Sequence, residues 1–208
     1  MLPVSLVIVE RNERDNLGEC VSHLKPYVSQ VVICDQDSTD GSFEIAKSVA
    51  DIVVKRKAKG YADPDRQFAY NLADQEWILA LDPDERVSAD LINALPHLIN
   101  DVGKDIDIFW IPFTNLVDGI NIQSILGEDP HPRLWRAGVL QWPAVAHTFP
   151  KWLSCRHLWL KRELNIIHSR TWEGIRKSHA IRGPEVSPQA REQERNFLQA
   201  VERLVGTK

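Results

Sequence analysis

The sequence predicts an α/β protein with a mostly parallel sheet covered by helices on both faces. Three observations support this prediction: short β-branched runs alternate with segments at helical spacing, each run is almost entirely apolar, and each ends in a polar loop. With 208 residues, 43% of them hydrophobic, the chain is long enough for one substantial core. We therefore expect a single domain over residues 1–208.

Short apolar runs mark five expected strands, and segments at helical spacing mark the expected helices. The expected strands are 4–9, 30–34, 52–54, 76–81 and 106–113. Three expected helices cover 16–24, 42–49 and 65–73, and Pro26 ends the first of them. A fourth is opened by a Ser88 cap, and an amphipathic terminal helix is expected over 187–205. After residue 115 the regularity fades, and a small mixed sheet is expected there.

In a parallel sheet, the loops that follow the strands meet at one edge. Two polar loops, 35–40 and 82–86, follow expected strands, so we expect them to lie close together in a ligand-binding crevice. The first strand runs into Glu10-Arg11-Asn12-Glu13 and not into a Gly-x-Gly-x-x-Gly turn, which excludes a Rossmann dehydrogenase.

Composition and cysteine usage predict a soluble, cytoplasmic protein. The mean hydropathy is −0.28, charged residues make up 26%, and no stretch approaches the roughly 20 apolar residues of a membrane-spanning helix. The N-terminus lacks a signal-peptide pattern. Cys20, Cys34 and Cys155 are too few and too far apart for a disulfide framework or a four-thiolate zinc site, so we expect them to be reduced.

Charge is divided unevenly along the chain. Residues 1–130 carry 11 basic and 23 acidic side chains, whereas residues 131–182 carry 10 basic and 2 acidic ones. An acidic first part suits a metal site, and a basic later segment suits an anionic partner. The alternative, that both are ordinary solvated faces, stays open.

The triplet Asp82-Pro83-Asp84 directly follows the fourth expected strand. Carboxylates one residue apart on a tight turn can share one cation, with a diphosphate filling its remaining positions, and Mg²⁺ and Mn²⁺ prefer such oxygen ligands. A solvated turn could have the same sequence. The position after a buried strand, beside a second acidic loop, favours the metal site.

Four segments together resemble family 2 glycosyltransferases in their order and spacing. They are 4–13, 35–42, 59–71 and 77–87. The resemblance is strong over residues 4–91, and it is greatest to the subgroup that transfers sugars during lipopolysaccharide core assembly. It implies a GT-A fold, a nucleotide diphosphate sugar donor such as a UDP-sugar, a divalent metal (Mn²⁺ or Mg²⁺), and inversion at the anomeric carbon.

Carried over position by position, the resemblance assigns residues to the donor and the metal. Asp35 and the loop from Val9 to Glu13 would hold the base or ribose, and Asp84 would serve the metal and diphosphate. An ordinary helix-surface role for Arg66 is equally open. The residues that the family resemblance places on the donor nucleotide are Val9, Glu10, Asn12, Glu13, Asp35, Arg66 and Asp82.

A late histidine, His168, resembles one that many GT-A enzymes place on the metal or diphosphate, so the implied metal ligands are Asp82, Asp84 and His168. A half-buried histidine that ends a strand is the alternative. The segment 131–136, followed by Trp142 and the pair Ala146-His147, resembles the subgroup's Arg-Leu-Phe strand and Val-His-Glu element. The glutamate expected after that histidine is Thr148 here, so its role is vacant or has moved.

An inverting transfer needs one group to take the proton of the acceptor hydroxyl. The acidic pair Glu128-Asp129 lies at about the distance beyond the metal motif where family members place this base, and Asp129 is the first candidate. His147 and Glu85 follow, and a plain surface turn is the alternative.

The implied partners are a donor, favoured to be a UDP-sugar, and a glycan or lipid-linked acceptor. Five tryptophans lie after residue 131 among basic residues, and most of their rings should be buried. This segment nonetheless suggests an anionic acceptor or a peripheral contact with the inner face of the membrane. Nucleic acid is not expected, because the acidic first part would repel it.

Residues 1–115 would form the nucleotide-sugar-binding half, 116–186 the acceptor-side half, and 187–208 the terminal helix.

Two alternative functions stay open. A metal-dependent nucleotidyltransferase has a related sheet and would release diphosphate from a nucleoside triphosphate. A nucleotide-sugar-binding module that has lost catalysis would explain Thr148 and the short C-terminal part.

Overall fold

Strands and helices alternate along the first hundred residues, as the sequence predicts. The structure is a computed structural model that describes residues 1–58, 62–144, 150–152, 155–180 and 188–205. The strands are β1 (Leu2–Glu10), β2 (Val28–Asp35), β3 (Ile52–Lys55), β4 (Trp77–Leu81), β5 (Glu85–Val87), β6 (Ile108–Ile111), β7 (Phe113–Val117), β8 (Ile120–Asn121), β9 (His131–Arg136), β10 (Leu140–Gln141), β11 (Lys151–Trp152), β12 (His157–Trp159) and β13 (Ile166–Arg170). The helices are α1 (Arg14–Leu24), α2 (Ser42–Val49), α3 (Asp63–Tyr70), α4 (Ala89–Asn100), α5 (Gln123–Leu126), α6 (Trp172–Ala180) and α7 (Pro188–Val205), with a short 3-10 helix at Val102–Lys104.

The main sheet has the strand order β12-β6-β9-β4-β1-β2-β3. Its pairs β1–β2, β1–β4 and β2–β3 are parallel, whereas β9 is antiparallel to β4 and to β6. The carboxyl ends of β1, β2 and β4 therefore lie side by side, and the loops that follow them share one edge of the sheet.

Helices cover both faces of this sheet. Leu6 and Ile8 of β1 belong to one core cluster with residues of α1, α2 and α4, and Val7 and Val9 belong to a second cluster with residues of α3. Successive strand residues point to opposite faces, so a strand buried on both faces is apolar at every position. This explains the unbroken apolar runs of the sequence and confirms the expected fold class.

The fifth expected strand, 106–113, is wrong as a single element. Pro112 divides it into β6 in the main sheet and β7 in a four-stranded sheet of order β5-β13-β7-β8. Proline has no N–H to donate to a ladder, and the Pro112 carbonyl accepts from the Ile166 N–H at 3.0 Å in the second sheet. The chain thus changes sheets at Pro112.

Other expectations are confirmed or corrected locally. Ser88 caps α4, since its hydroxyl accepts from the Leu91 N–H at 3.2 Å. Helix α3 begins at Asp63 and ends at Tyr70, earlier than expected, with proline in its first turn. All three cysteines are free. Among the described residues, no helix combines the length and apolarity needed to span a bilayer.

The tryptophans after residue 131 are less buried than expected. Trp135 is buried, but the side chains of Trp152 and Trp159 are 45% and 58% exposed. Trp159 lies on β12, the strand at one edge of the main sheet, and so it lacks a neighbouring strand on that side within the described chain.

Candidate active site

The carboxyl end of β4 turns sharply through the acidic triplet predicted from the sequence. The Glu85 N–H donates to the Asp82 carbonyl at 3.0 Å, and the Asp82 N–H donates to the Glu85 carboxylate at 2.9 Å. These reciprocal bonds close the turn, and strand β5 begins at once. The Asp82 and Asp84 side chains remain partly exposed, at 29% and 24%.

Strand pairing brings His168 to this turn from 84 residues away. In β13, His168 lies opposite Glu85 of β5 and Asn115 of β7. Its Nε2 atom is 3.2 Å from Asp84 Oδ2, and its Nδ1 atom is 3.0 Å from Asn115 Oδ1. Burial acts to lower the pKa of His168, but the hydrogen bond and charge of Asp84 outweigh it and raise that pKa.

Two arginines hold Asp82. Arg66 Nη2 of α3 donates to Asp82 Oδ1 at 3.0 Å, and Arg133 Nη2 of β9 donates to Asp82 Oδ2 at 3.2 Å. Burial acts to raise the pKa of Asp82, yet the charges of Arg66 and Arg133 outweigh it and hold that pKa below its usual range. The arrangement fixes an ionised carboxylate beside two guanidinium groups.

Arg133 also forms an ion pair with Glu85, whose side chain is 1% exposed. Burial raises the pKa of Glu85 to about 7, even though the Arg133 charge acts to lower it. The Arg133 guanidinium lies 5.3 Å from the centre of the Phe113 ring. Arg133 thus connects the acidic turn to β9 and β7.

The loops after β1 and β2 are tied together by hydrogen bonds. The Asn12 N–H donates to Ser38 Oγ at 2.9 Å, and the Thr39 N–H donates to Asn12 Oδ1 at 2.8 Å. Asn12 has a φ of 58°, a left-handed conformation that asparagine tolerates. Farther on, the Glu13 N–H donates to Ser42 Oγ at 2.8 Å. Most loop residues predicted to contact the nucleotide thus belong to one hydrogen-bonded unit.

A pair of buried carboxyl groups lies at the base of these loops. Glu10 and Asp35 face each other in the β1–β2 register and are 3% and 0% exposed. Among the described residues, no donor is within hydrogen-bond distance of Glu10 Oε1 or Asp35 Oδ2. Burial, together with the adjacent Asp35, raises the pKa of Glu10 to about 9, so this side chain is protonated at neutral pH.

The loops at 35–40 and 82–86 lie on the same edge of the sheet, as predicted. Glu13 experiences the charges of Asp84, Asp82 and Asp40, and burial combined with these charges raises its pKa. Carboxylates from the loop after β2 and from the β4 turn thus both lie near enough to Glu13 to act on it.

Asp129 lines a cavity of about 330 Å³ to which no residue of the acidic turn contributes. Its Oδ1 lies 3.0 Å from His131 Nε2, and this hydrogen bond lowers the pKa of Asp129 despite its partial burial. The Phe113 ring also lines the cavity, with its centre 4.8 Å from that of the His131 ring and 6.1 Å from that of the His168 ring. Phe113 is thus the wall between the cavity and the Asp84–His168 pair.

The structure brings most of the sequence-predicted residues to one edge. Asp84 contacts His168, and Arg66 contacts Asp82 on the same turn. Glu10, in the loop from Val9 to Glu13, lies opposite Asp35 in the pairing of β1 with β2. Glu128 is exposed and lines the same cavity as Asp129. His147 and Thr148 lie outside the described residues.

Sequence reasoning missed three contributors to the site. Arg133 stood in a quoted motif, but its ion pairs with Asp82 and Glu85 depend on strand pairing. His131 acts on Asp129, only two residues earlier in the chain, whereas Asn115 acts on His168, which only the fold brings near. In the part of the chain that the structure describes, no three His, Cys, Asp or Glu side chains converge as a ready-made metal site.

The fold is shared with solved glycosyltransferase structures. The Staphylococcus aureus protein TarS, residues 1–349, in complex with UDP-GlcNAc matches with a TM-score of 0.64 at 14% identity, over 100% of this chain and 74% of that one. At this identity the likeness concerns the fold. Together with the acidic turn at the carboxyl end of a central strand, it defines a domain with the GT-A fold.

Sequence comparison then identifies the family. The model of glycosyl transferase family 2 matches residues 5–150, and the chain belongs to that family. A lipopolysaccharide core biosynthesis glycosyltransferase of Rhizobium meliloti, LpsC, is 34% identical over 103 residues, which are 47% of this chain and 37% of that protein. The glycosyltransferase RP128 of Rickettsia prowazekii is 26% identical over 105 residues, or 50% of this chain and 36% of that one. The chain thus aligns with little more than a third of the length of these relatives.

Proposed function

We propose that this domain transfers a hexose from a nucleotide diphosphate sugar, with a UDP-sugar favoured, to a glycan or lipid-linked acceptor with inversion at the anomeric carbon. The observation that carries the proposal is the contact between Asp84 and His168 at the end of β4, with Asp82 on the same turn, beside the hydrogen-bonded loops after β1 and β2. The UDP-GlcNAc complex of TarS and the name of LpsC support this donor and an acceptor from the lipopolysaccharide core.

Asp84 and His168 fit a divalent cation. Their facing atoms are 3.2 Å apart, a separation that two ligands of one ion can have, and Asn115 orients the other ring nitrogen, as outer-shell partners of metal-bound histidines do. Two or three side-chain ligands leave positions for a diphosphate, which is how Mg²⁺ and Mn²⁺ are commonly bound beside nucleotides. When bound, the ion stabilises the negative charge of the departing diphosphate.

Asp82, Arg66 and Arg133 provide fixed charges on the donor side of the site. Asp82 remains ionised because two guanidiniums compensate its burial, and the same guanidiniums lie where diphosphate oxygens would approach the turn. In this proposal Arg66 and Arg133 add positive charge toward the leaving group.

Asp129 is the proposed general base. It lines the cavity beyond Phe113, and its lowered pKa keeps it ionised at neutral pH and able to accept a proton. As the acceptor oxygen bonds to the anomeric carbon and the bond to the diphosphate breaks, Asp129 takes the acceptor's hydroxyl proton. A single displacement of this kind inverts the anomeric configuration.

The first test is calorimetric titration with UDP, GDP and dTDP, each with and without Mn²⁺, followed by a hydrolysis assay with the matching sugar nucleotides. We expect Mn²⁺-dependent binding of UDP and slow hydrolysis of its sugar conjugate. Binding without hydrolysis or transfer would favour the impaired binding module. Release of diphosphate from a nucleoside triphosphate would favour the nucleotidyltransferase, and absence of all binding would overturn the proposal.

A further inference from the structure

The cavity that contains Asp129 has two chemically different walls. One is the loop of residues 127–130, which carries Glu128 and Asp129. The other is the end of β12 and the residues after it, which contribute Trp159, Leu160 and Arg162. A ligand in this cavity would therefore meet acidic groups on one side and an indole with a guanidinium on the other.

Trp159 is exposed but held in position. Its side chain is 58% exposed, yet its ring stacks on Trp110 with centroids 5.7 Å apart and planes inclined by 11°. The His157 ring lies at 5.8 Å with an inclination of 28°. An indole fixed by such neighbours loses little conformational entropy on binding a ligand, and its open surface suits the C–H face of a sugar ring.

Arg162 lies three residues beyond Trp159 and lines the same cavity. In the described ranges of the chain, no carboxylate forms an ion pair with its exposed guanidinium, whereas the neighbouring Arg156 is within 4 Å of Asp105 and Asp107. On the other wall, His131 Nε2 lies 3.0 Å from Asp129 Oδ1 and so occupies one oxygen of that carboxylate. Arg162 therefore remains available for an anionic group of a ligand.

The geometry points to this cavity as a site for an anionic acceptor sugar, with the sugar ring on Trp159 and a phosphate or carboxylate substituent on Arg162. The inference rests on the proposed function, because it treats Asp129 as the group that receives the acceptor's proton. It adds the chemical class of the acceptor and the two residues that select it.

The test is direct binding of three small probes, measured by saturation transfer difference NMR in the absence of donor. The probes are glucose, glucose 6-phosphate and glucuronate, and the two acids distinguish a phosphate from a carboxylate preference. We expect at least one acid to bind about fivefold more tightly than glucose at low salt, as one favourable ion pair would give. Added salt should reduce this preference.

Substitutions then separate the two contacts. Arg162→Gln should remove the preference for the acid and leave glucose binding unchanged, and Trp159→Ala should weaken all three probes. Matched controls are Lys161→Gln, an exposed cation beside Arg162, and Trp152→Ala, an exposed indole of the same aromatic cluster; neither residue lines the cavity. Both controls should bind the probes as the unmodified protein does.

Equal binding of glucose and both acids, unchanged binding in Arg162→Gln and Trp159→Ala, or no binding of either acid would overturn the inference. UDP titration with Mn²⁺ on the same samples separates this failure from failure of the proposed function. Binding of UDP without any preference among the probes would leave the donor site standing and remove only the acceptor assignment.

Discussion

His168 Nε2 lies 3.2 Å from Asp84 Oδ2, although the two residues are 84 positions apart in the chain. Strand β13 creates this contact by pairing with β5 on one side and with β7 on the other. The same pairing places Asn115 against the second nitrogen of the ring. The proposed metal site therefore depends on a strand that lies outside the main sheet.

Asp84→Ala and His168→Ala should each remove most Mn²⁺-dependent UDP binding and lower turnover by roughly 100-fold or more, because the ion loses a side-chain ligand. Calorimetry and a donor-hydrolysis assay measure the two effects. Asp90→Asn, an exposed carboxylate on α4, is the control and should change neither. Undiminished, metal-independent turnover in Asp84→Ala would refute the metal assignment.

Asp129→Asn should lower the transfer rate by roughly 10²- to 10⁴-fold while leaving UDP affinity within about twofold, because the amide cannot accept the acceptor's proton. Steady-state transfer kinetics and UDP titration measure the two quantities. Glu128→Gln is the informative comparison. If Glu128→Gln lost transfer and Asp129→Asn did not, the base would be Glu128.

The stability of the Glu10→Gln variant, compared with that of the unmodified protein, should increase as the pH rises. The folded protein holds the Glu10 proton up to a pKa of about 9, whereas the unfolded chain releases it near the ordinary value of 4.5. Stability is therefore lost as pH rises between these values, by up to about 1.4 kcal/mol per pH unit, and glutamine avoids the loss.

Urea unfolding at about pH 5 and about pH 8 measures this difference. The free energy of unfolding of Glu10→Gln minus that of the unmodified protein should grow by a few kcal/mol over the range. Glu44→Gln, at a surface ion pair with Lys47, should show no such trend. A flat difference for Glu10→Gln would mean that Glu10 is ionised in the folded protein.

Arg133→Met should destabilise the protein by about 3 kcal/mol or more, because it leaves Glu85 buried without its cation. Adding Glu85→Gln should recover part of that loss, since a neutral amide costs less to bury. Chemical unfolding of the two single variants and the double variant gives the coupling energy. Strictly additive effects would show that the two side chains do not interact.

Gly103→Ala should cost about 1–3 kcal/mol. A Cβ atom at this buried position would lie 2.8 Å from Trp77 Cζ2 and 3.0 Å from the Leu98 carbonyl oxygen. Gly18→Ala is the matched control, because a Cβ there meets Ile45 Cγ2 at 3.7 Å and alanine favours the helix. Thermal unfolding should show a lower Tm for the first variant and no loss for the second.

The sequence alone determined the parallel core and the family. The stretches 6–9, 31–34 and 77–81 are apolar at every position because both faces of these strands are buried, and this pattern is local in the chain. The acidic turn at Asp82-Pro83-Asp84 and the polar loop after β2 were predictable for the same reason. Each occupies consecutive residues at the end of a recognisable strand.

Only the tertiary structure decided how distant segments complete the site. Pro112 ends β6 and sends the chain into a second sheet, and there β13 carries His168 to Asp84. Arg133 reaches Asp82 and Glu85 across paired strands, and Trp159 comes to line the cavity of Asp129. Pairing between segments that are far apart in sequence depends on which strands compete for an edge and on register, and neither leaves a periodic signal in the chain.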